Sequence, residues 1–193
     1  MANFNTAYNI TLGHEGGYSN DPDDVGKETY KGISRRYHPD WEGWVIVDEA
    51  KNSTDFPNNL ESDSRLDEMV KLFYKSTYWN LFWGDELSEQ ELANELFDTS
   101  INMGTNRAVK FLQKSLNILN RNQQSYEDIV EDGQFGQNTY RALSMYLAMD
   151  GIDYLYKVLN ILQGMHYINY MTESPTQEKY ARGWLKRVEF IKN

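Results

Sequence analysis

Gly13-His14-Glu15-Gly16-Gly17-Tyr18-Ser19-Asn20-Asp21-Pro22-Asp23-Asp24-Val25-Gly26-Lys27-Glu28-Thr29-Tyr30-Lys31-Gly32-Ile33-Ser34 joins three kinds of local structure. Before it, residues 3–14 place Phe4, Ala7, Tyr8, Thr11 and Leu12 on one side of a helix, and Gly16 and Gly17 suit its C-terminal cap. An acidic, turn-rich segment follows. Thr29-Tyr30-Lys31-Gly32-Ile33 then suits a strand. Three potentially reactive side chains, Glu15, Asp24 and Thr29, therefore fall within fifteen residues on a segment that must fold back on itself.

Outward from there, residues 18–60 lack helical periodicity, and their prolines and Trp44-Val45-Ile46-Val47 predict turns with one or two short strands. Helical signals dominate afterwards. Ser64-x-x-Asp67 and Ser88-x-x-Glu91 resemble capping boxes ahead of Leu66, Met69, Val70 and Phe73, and of Leu92, Leu96, Phe97 and Ile101. Gly104 supplies a stop, and Asn106 a cap for a helix bearing Val109, Leu112, Leu116 and Leu119. Beyond a polar loop at 120–128, the glycine-punctuated turn Glu131–Gly136 precedes helices over 138–149 and 151–171, with Asn138 or Thr139 as a cap. Pro175 introduces a last helix at 176–191. The expectation is a mostly α protein with a small β-hairpin element near its N-terminus.

Composition removes several function classes. The 193 residues are enough for one domain or two small lobes sharing a core. A net charge of −10 argues against a general nucleic-acid binder, which needs clustered Lys and Arg. Only Lys179 to Lys192 is basic, with the spacing of a helix face. Without Cys there is neither a disulfide framework nor thiolate chemistry. No run approaches the ~20 apolar residues of a membrane span. The start, Met1 to Thr6, lacks the basic residues and apolar run of a signal peptide. Synthesis in the cytoplasm with assisted release is the expectation that follows. Aromatic residues reach 14%, a share that serves either sugar stacking or a core.

Glycoside hydrolysis needs a proton donor to the leaving oxygen and a group that stabilises positive charge at the anomeric carbon. A Glu at a helix C-terminus among apolar neighbours stays protonated more readily, because burial and the negative end of the helix dipole both favour the neutral acid. Glu15 fits that role. Asp24 suits a base or charge stabiliser across the turn, and Thr29 suits holding a water. The plainer alternative is a surface Glu15 beside a glycine turn, with Asp21, Asp23 and Asp24 in a solvated loop.

Glu15-Gly16-Gly17-Tyr18, Asp21-Pro22-x-Asp24-x-Gly26, Thr29 and Gly32-Ile33-Ser34 resemble the signature of glycoside hydrolase family 108. The resemblance continues through Tyr78-Trp79, Phe97-Asp98-x-x-Ile101-Asn102-x-Gly104 and Leu112-Gln113. It extends to Asp132-Gly133-x-x-Gly136-x-x-Thr139-x-x-Ala142-Leu143 and Gly183-Trp184-x-x-Arg187-Val188. Those enzymes are peptidoglycan N-acetylmuramidases of lysozyme type. The resemblance implies a lysozyme-like helical fold, cleavage of the β-1,4 bond between N-acetylmuramic acid and N-acetylglucosamine, and Glu15 as catalytic acid. The Glu-x8-Asp-x4-Thr spacing is also similar to the Glu-x8-Asp-x5-Thr arrangement of phage-type lysozymes, which supports Asp24 and Thr29. It implies a hydrolase region over 1–104 and a helical peptidoglycan-binding-like region over 105–193, packed as one unit. Lys27 departs from the pattern, standing where the family usually has a second glycine. Residues 40–60 also fit it poorly, with Trp41 and Trp44 as candidate sugar-stacking residues of an accessory loop.

Tyr18, Tyr30, Tyr78 and Trp79 are candidate substrate-groove residues, with Tyr78 and Trp79 equally suited to a core. Asn102 is suited either to an N-acetyl group or a water, or to the end of its own helix. An EF-hand starting at Asp21 fails, because Val25 and Gly32 occupy ligand positions. His14, His38 and His166 lack metal spacing, and no Gly-x-Ser-x-Gly occurs. No metal or other cofactor is expected. The expected partner is the glycan strand of peptidoglycan, met by a monomer in the periplasm or cell wall. A non-catalytic wall-binding or structural protein is the main rival, and an amidase or peptidase acting on stem peptides is a third class. Inverting and retaining chemistry both stay open, since the carboxylate separation decides between them.

Overall fold

The computed structural model describes residues 1–13, 17–21 and 26–188. By packing, the chain divides into one unit of Asn3–Asn80 and another of Leu81–Asn193 with Met1–Ala2.

In the first unit, helix α1 spans Phe4–Leu12 and buries Phe4, Ala7 and Tyr8. The Asn3 side chain caps it by accepting from the Thr6 N–H at 3.2 Å. The helix closes on Gly13, whose N–H donates to Asn9 O, so it stops short of the expected glycine pair. Of that pair, Gly16 lies outside the described residues. An antiparallel sheet follows, with β1 at Tyr18–Asn20, β2 at Glu28–Tyr30 and β3 at Ile33–Ser34 in the order β1-β2-β3. The stretch 29–33, expected as a single strand, is broken instead by a turn: Lys31 and Gly32 join β2 to β3 with φ of 42° and 79°, which a strand cannot hold. Positive φ at both central residues gives a two-residue hairpin whose twist matches the flanking strands.

Trp44-Val45-Ile46-Val47, expected as a strand, lies instead in helix α2, Gly43–Ala50. Alternation would put Val45 and Val47 on one face, yet Val45 is 62% exposed and Val47 fully buried. A helical turn brings Trp44 and Val47 inward together. The Trp44 indole N–H donates to His38 O at 2.8 Å, and the Arg35 guanidinium lies over its ring at 4.5 Å. Helix α3, Ser64–Thr77, buries Leu66, Val70 and Tyr74. Its cap is Asp63 rather than Ser64, with the carboxylate accepting from the Arg65 and Leu66 N–H groups. Phe4, Tyr8, Tyr74 and Trp79 meet edge to face or tilted, with centroids 5.6–6.0 Å apart.

The second unit contains α4 (Gln90–Met103), α5 (Thr105–Leu119), α6 (Gln137–Asp150), α7 (Asp153–Glu173) and the short α8 (Ala181–Leu185). Gly104, at φ 86°, ends α4 and starts α5, so no side chain caps α5. Asn106 does different work from the expected cap: its side-chain amide donates to Asp132 O at 3.1 Å. Glu89, not Ser88, stands at the N-cap of α4, and Gly136 at that of α6, in both cases without a side-chain cap bond. The core holds Leu96, Phe97, Val109, Leu112, Leu116, Tyr146 and Leu155. The expected last helix is a 3-10 segment, Pro175–Tyr180, followed by α8. Eight α-helices and a three-stranded sheet among the described residues make this a mostly α, lysozyme-like fold.

Candidate active site

Of the three candidate catalytic residues, Thr29 lies among the described residues. Glu15 and Asp24 lie outside the described residues. Thr29 sits at the centre of β2, opposite Ser19 on β1 and Ser34 on β3. It is half-buried, and its hydroxyl donates to Lys27 O at 3.4 Å. Lys27 itself has φ 52°, the left-handed backbone that favours glycine. The departure at this position therefore keeps a glycine-like turn.

Glu28, beside Thr29, anchors the sheet to α2. Its carboxylate accepts from the Tyr18 hydroxyl at 3.0 Å and pairs with Lys51 Nζ at 2.7 Å and Arg35 Nε at 3.0 Å. Arg35 also forks onto the Asp48 carboxylate at 2.8 and 3.1 Å. Hydrogen bonds from Arg35 and Lys51 hold Asp48 below the usual carboxylate range. Alternating charges at 28, 35, 48 and 51 were legible in the sequence, but their convergence depends on α2 being a helix.

Tyr18 is half-buried, with its ring edge-on to Phe56 at 4.7 Å. Burial and then the bond to Glu28 raise its phenol pKa. Tyr30 is only 1% exposed, and its hydroxyl donates to Leu60 O at 3.3 Å. Burial pushes that phenol up to about 12. Trp79 has no exposed surface at all. Tyr30 and Trp79 are thus core rings rather than groove walls, because no face is left for a sugar. Trp44, 4% exposed, belongs to the core as well, while Trp41 is half-buried against it at 5.1 Å. Tyr78 is half-buried and stacks on Tyr74 at 5.8 Å.

In the second unit, Asn102 is exposed near the end of α4, and its amide donates to Asp98 O at 2.8 Å and Asp98 Oδ1 at 3.2 Å. It thereby satisfies a carbonyl of its own helix. Arg187 pairs with the same Asp98 carboxylate. Burial raises the Asp98 pKa against the opposing pull of Arg187. The Asp132–Gly136 turn is organised by Gln113, which is 1% exposed. Its amide donates to Asp132 Oδ1, Thr139 Oγ1 and Gln134 O at 2.9–3.2 Å, and its oxygen accepts from the Gly133 N–H at 2.8 Å. Thr139 thus serves Gln113 rather than capping α6.

Among the described residues no group of three or more His, Asp or Glu is placed to hold a metal, and no helix is long and apolar enough to cross a membrane.

The family model "Glycosyl hydrolase 108" matches residues 8–104, and the model "Predicted Peptidoglycan domain" matches residues 107–189. No curated protein matches the chain. Among solved structures, one described as the structure of Brucella abortus SagA is similar, with a TM-score of 0.60 and 24% identity. The similarity covers 96% of this chain and 88% of that one, and at this identity it speaks for the fold.

Proposed function

The chain belongs to the glycosyl hydrolase 108 family, and from that premise we propose that it cleaves the β-1,4 bond between N-acetylmuramic acid and N-acetylglucosamine in peptidoglycan. The observation that carries this is the order of the two matches, a glycosyl hydrolase over 8–104 and a peptidoglycan domain over 107–189. A hydrolase joined to a wall-recognising region acts on a substrate too large to diffuse to it.

In this reading residues 1–104 perform hydrolysis and 105–193 hold the wall. Glu15 protonates the leaving glycosidic oxygen. Asp24, helped by Thr29, orients a water or stabilises the oxocarbenium-like state. Thr29 suits this because β2 is fixed on both sides, by pairing with β1 and β3 and by the ion pairs of Glu28. Tyr18, Tyr78 and Asn102 remain as substrate-contacting residues, each with exposed or half-buried surface. The site of action is the cell wall.

The test is Glu15→Gln assayed on purified peptidoglycan, with mass analysis of the fragments. Loss of the proton donor lowers cleavage by about 10²–10⁴-fold, the usual share of general acid catalysis. Cleavage at the wild-type rate by a folded variant overturns the assignment, and fragments cut at amide bonds overturn the reaction class.

A further inference from the structure

The segment 126–130 and helix α6 enclose an open groove of about 530 Å³, inside the range of about 300–1,000 Å³ common for ligand clefts. The wall formed by the segment is built in place. The Asn117 side chain grips Ile129 from both sides, donating to its carbonyl oxygen and accepting from its N–H, both at 2.9 Å. The Tyr126 hydroxyl donates to Leu116 O at 2.8 Å, and Asp128 accepts from Asn120 at 2.6 Å.

Three charged side chains line this groove, Glu127 and Asp128 from the segment and Arg141 from α6. Asp128 is held by Asn120, whereas Glu127 and Arg141 are exposed and neither has a polar partner among the described residues. Apolar surfaces line it as well, with Val130 75% and Met145 40% exposed. Leaving apolar side chains open beside unpaired charges fits a ligand that carries both methyl groups and ions.

We propose that this groove binds the stem peptide of peptidoglycan rather than its glycan. Arg141 pairs with a peptide carboxylate, Glu127 with an amine, and Val130 and Met145 contact alanyl methyls. A stem peptide carries all three features, whereas a glycan strand presents hydroxyls and acetamides to stacking rings. Among the described residues the only ring lining the groove is Tyr126, half-buried and with its hydroxyl already committed. The assignment rests on the reading that the chain acts on peptidoglycan, and it names which part of that polymer the second region holds.

The experiment uses the full chain carrying Glu15→Gln, titrated by calorimetry with L-alanyl-γ-D-glutamyl-meso-diaminopimelyl-D-alanine. A second titration uses a peptide-free glycan oligosaccharide. The peptide binds, and Arg141→Ala and Val130→Asp each weaken it by about tenfold or more, the cost of one charge-assisted contact. Lys157→Ala, which removes an exposed charge outside the groove, leaves binding unchanged, and circular dichroism verifies that each variant is folded. Absence of peptide binding overturns the proposal, as does indifference to both groove variants or competition by the oligosaccharide. Wild-type cleavage of peptidoglycan is scored separately. Cleavage without peptide binding overturns the groove assignment alone, and peptide binding without cleavage overturns the glycosidase reading alone.

Discussion

The Tyr74 hydroxyl donates to the carbonyl oxygen of Lys31 across 2.8 Å, so α3 grips the turn between β2 and β3. A Cβ on Gly32 would sit 2.6 Å from that hydroxyl, at a φ of +79°. Gly32→Ala therefore combines a left-handed backbone penalty of about 1–2 kcal/mol with a steric one. Tyr74→Phe loses about 0.5–1.5 kcal/mol for the hydrogen bond. The two changes are not additive, because Phe removes the atom that the new methyl meets. Urea unfolding of both singles and the double variant checks this, and strict additivity contradicts it.

Lys27 holds a left-handed conformation at φ 52°. Lys27→Gly relieves the Cβ strain and loses part of that gain to the greater freedom of glycine when unfolded. The net expectation is stabilisation by about 0.5–1 kcal/mol. A lowered unfolding midpoint would show that the lysine side chain contributes more than its backbone costs.

Trp79 separates a core role from a groove role. With no exposed surface, Trp79→Ala costs about 3–5 kcal/mol of stability. The milder Trp79→Phe retains the wild-type KM for peptidoglycan. A raised KM in a variant of unchanged stability would return this ring to the groove.

Gln113 makes four hydrogen bonds from a buried position. Gln113→Ala leaves the Gly133 N–H and Thr139 Oγ1 without that partner and lowers stability by about 2–3 kcal/mol. Hydrogen exchange at the Gly133 amide rises with it. Unchanged protection there would mean that the turn holds without the glutamine.

Asp98 gives a pH dependence of opposite sign to that of Asp48, Asp63 and Asp67, whose carboxyls are held low by their cationic partners. A raised folded pKa contributes stability that is full below the unfolded value of about 3.9 and is lost as pH rises through the folded value. The stability of the wild type relative to Asp98→Asn therefore declines as pH rises above about 4. Chemical unfolding at a series of pH values reads this directly. A difference that grows with pH would show that the Arg187 ion pair outweighs the desolvation.

Local signals carried much of the fold. Phe4, Ala7 and Tyr8 marked the buried face of α1 and Gly104 marked the end of α4, whereas Lys31-Gly32, read as part of a strand, forms the two-residue turn of the hairpin. Each is short-ranged, since a helix face or a two-residue turn is decided by neighbours within a few positions. Where local chemistry offered near-equivalent choices, it misled. Asp63 and Ser64 are both good caps, and the one whose carboxylate reached the free N–H groups prevailed.

By itself, the sequence determined the family, the mostly helical class, the position of the hairpin and the candidate chemistry at Glu15, Asp24 and Thr29. Those follow from residue types at set spacings. Tertiary structure decided what spacing does not encode. It made a helix of Trp44–Val47, because Arg35 and His38 O hold Trp44 inward. It placed Tyr30 and Trp79 in the core while leaving Tyr18 and Tyr78 with open surface. It also set Glu127 and Arg141, fourteen positions apart in sequence, on one groove. Burial and long-range juxtaposition depend on how the elements pack, and an aromatic ring or a lone charge reads the same in sequence whichever way it turns.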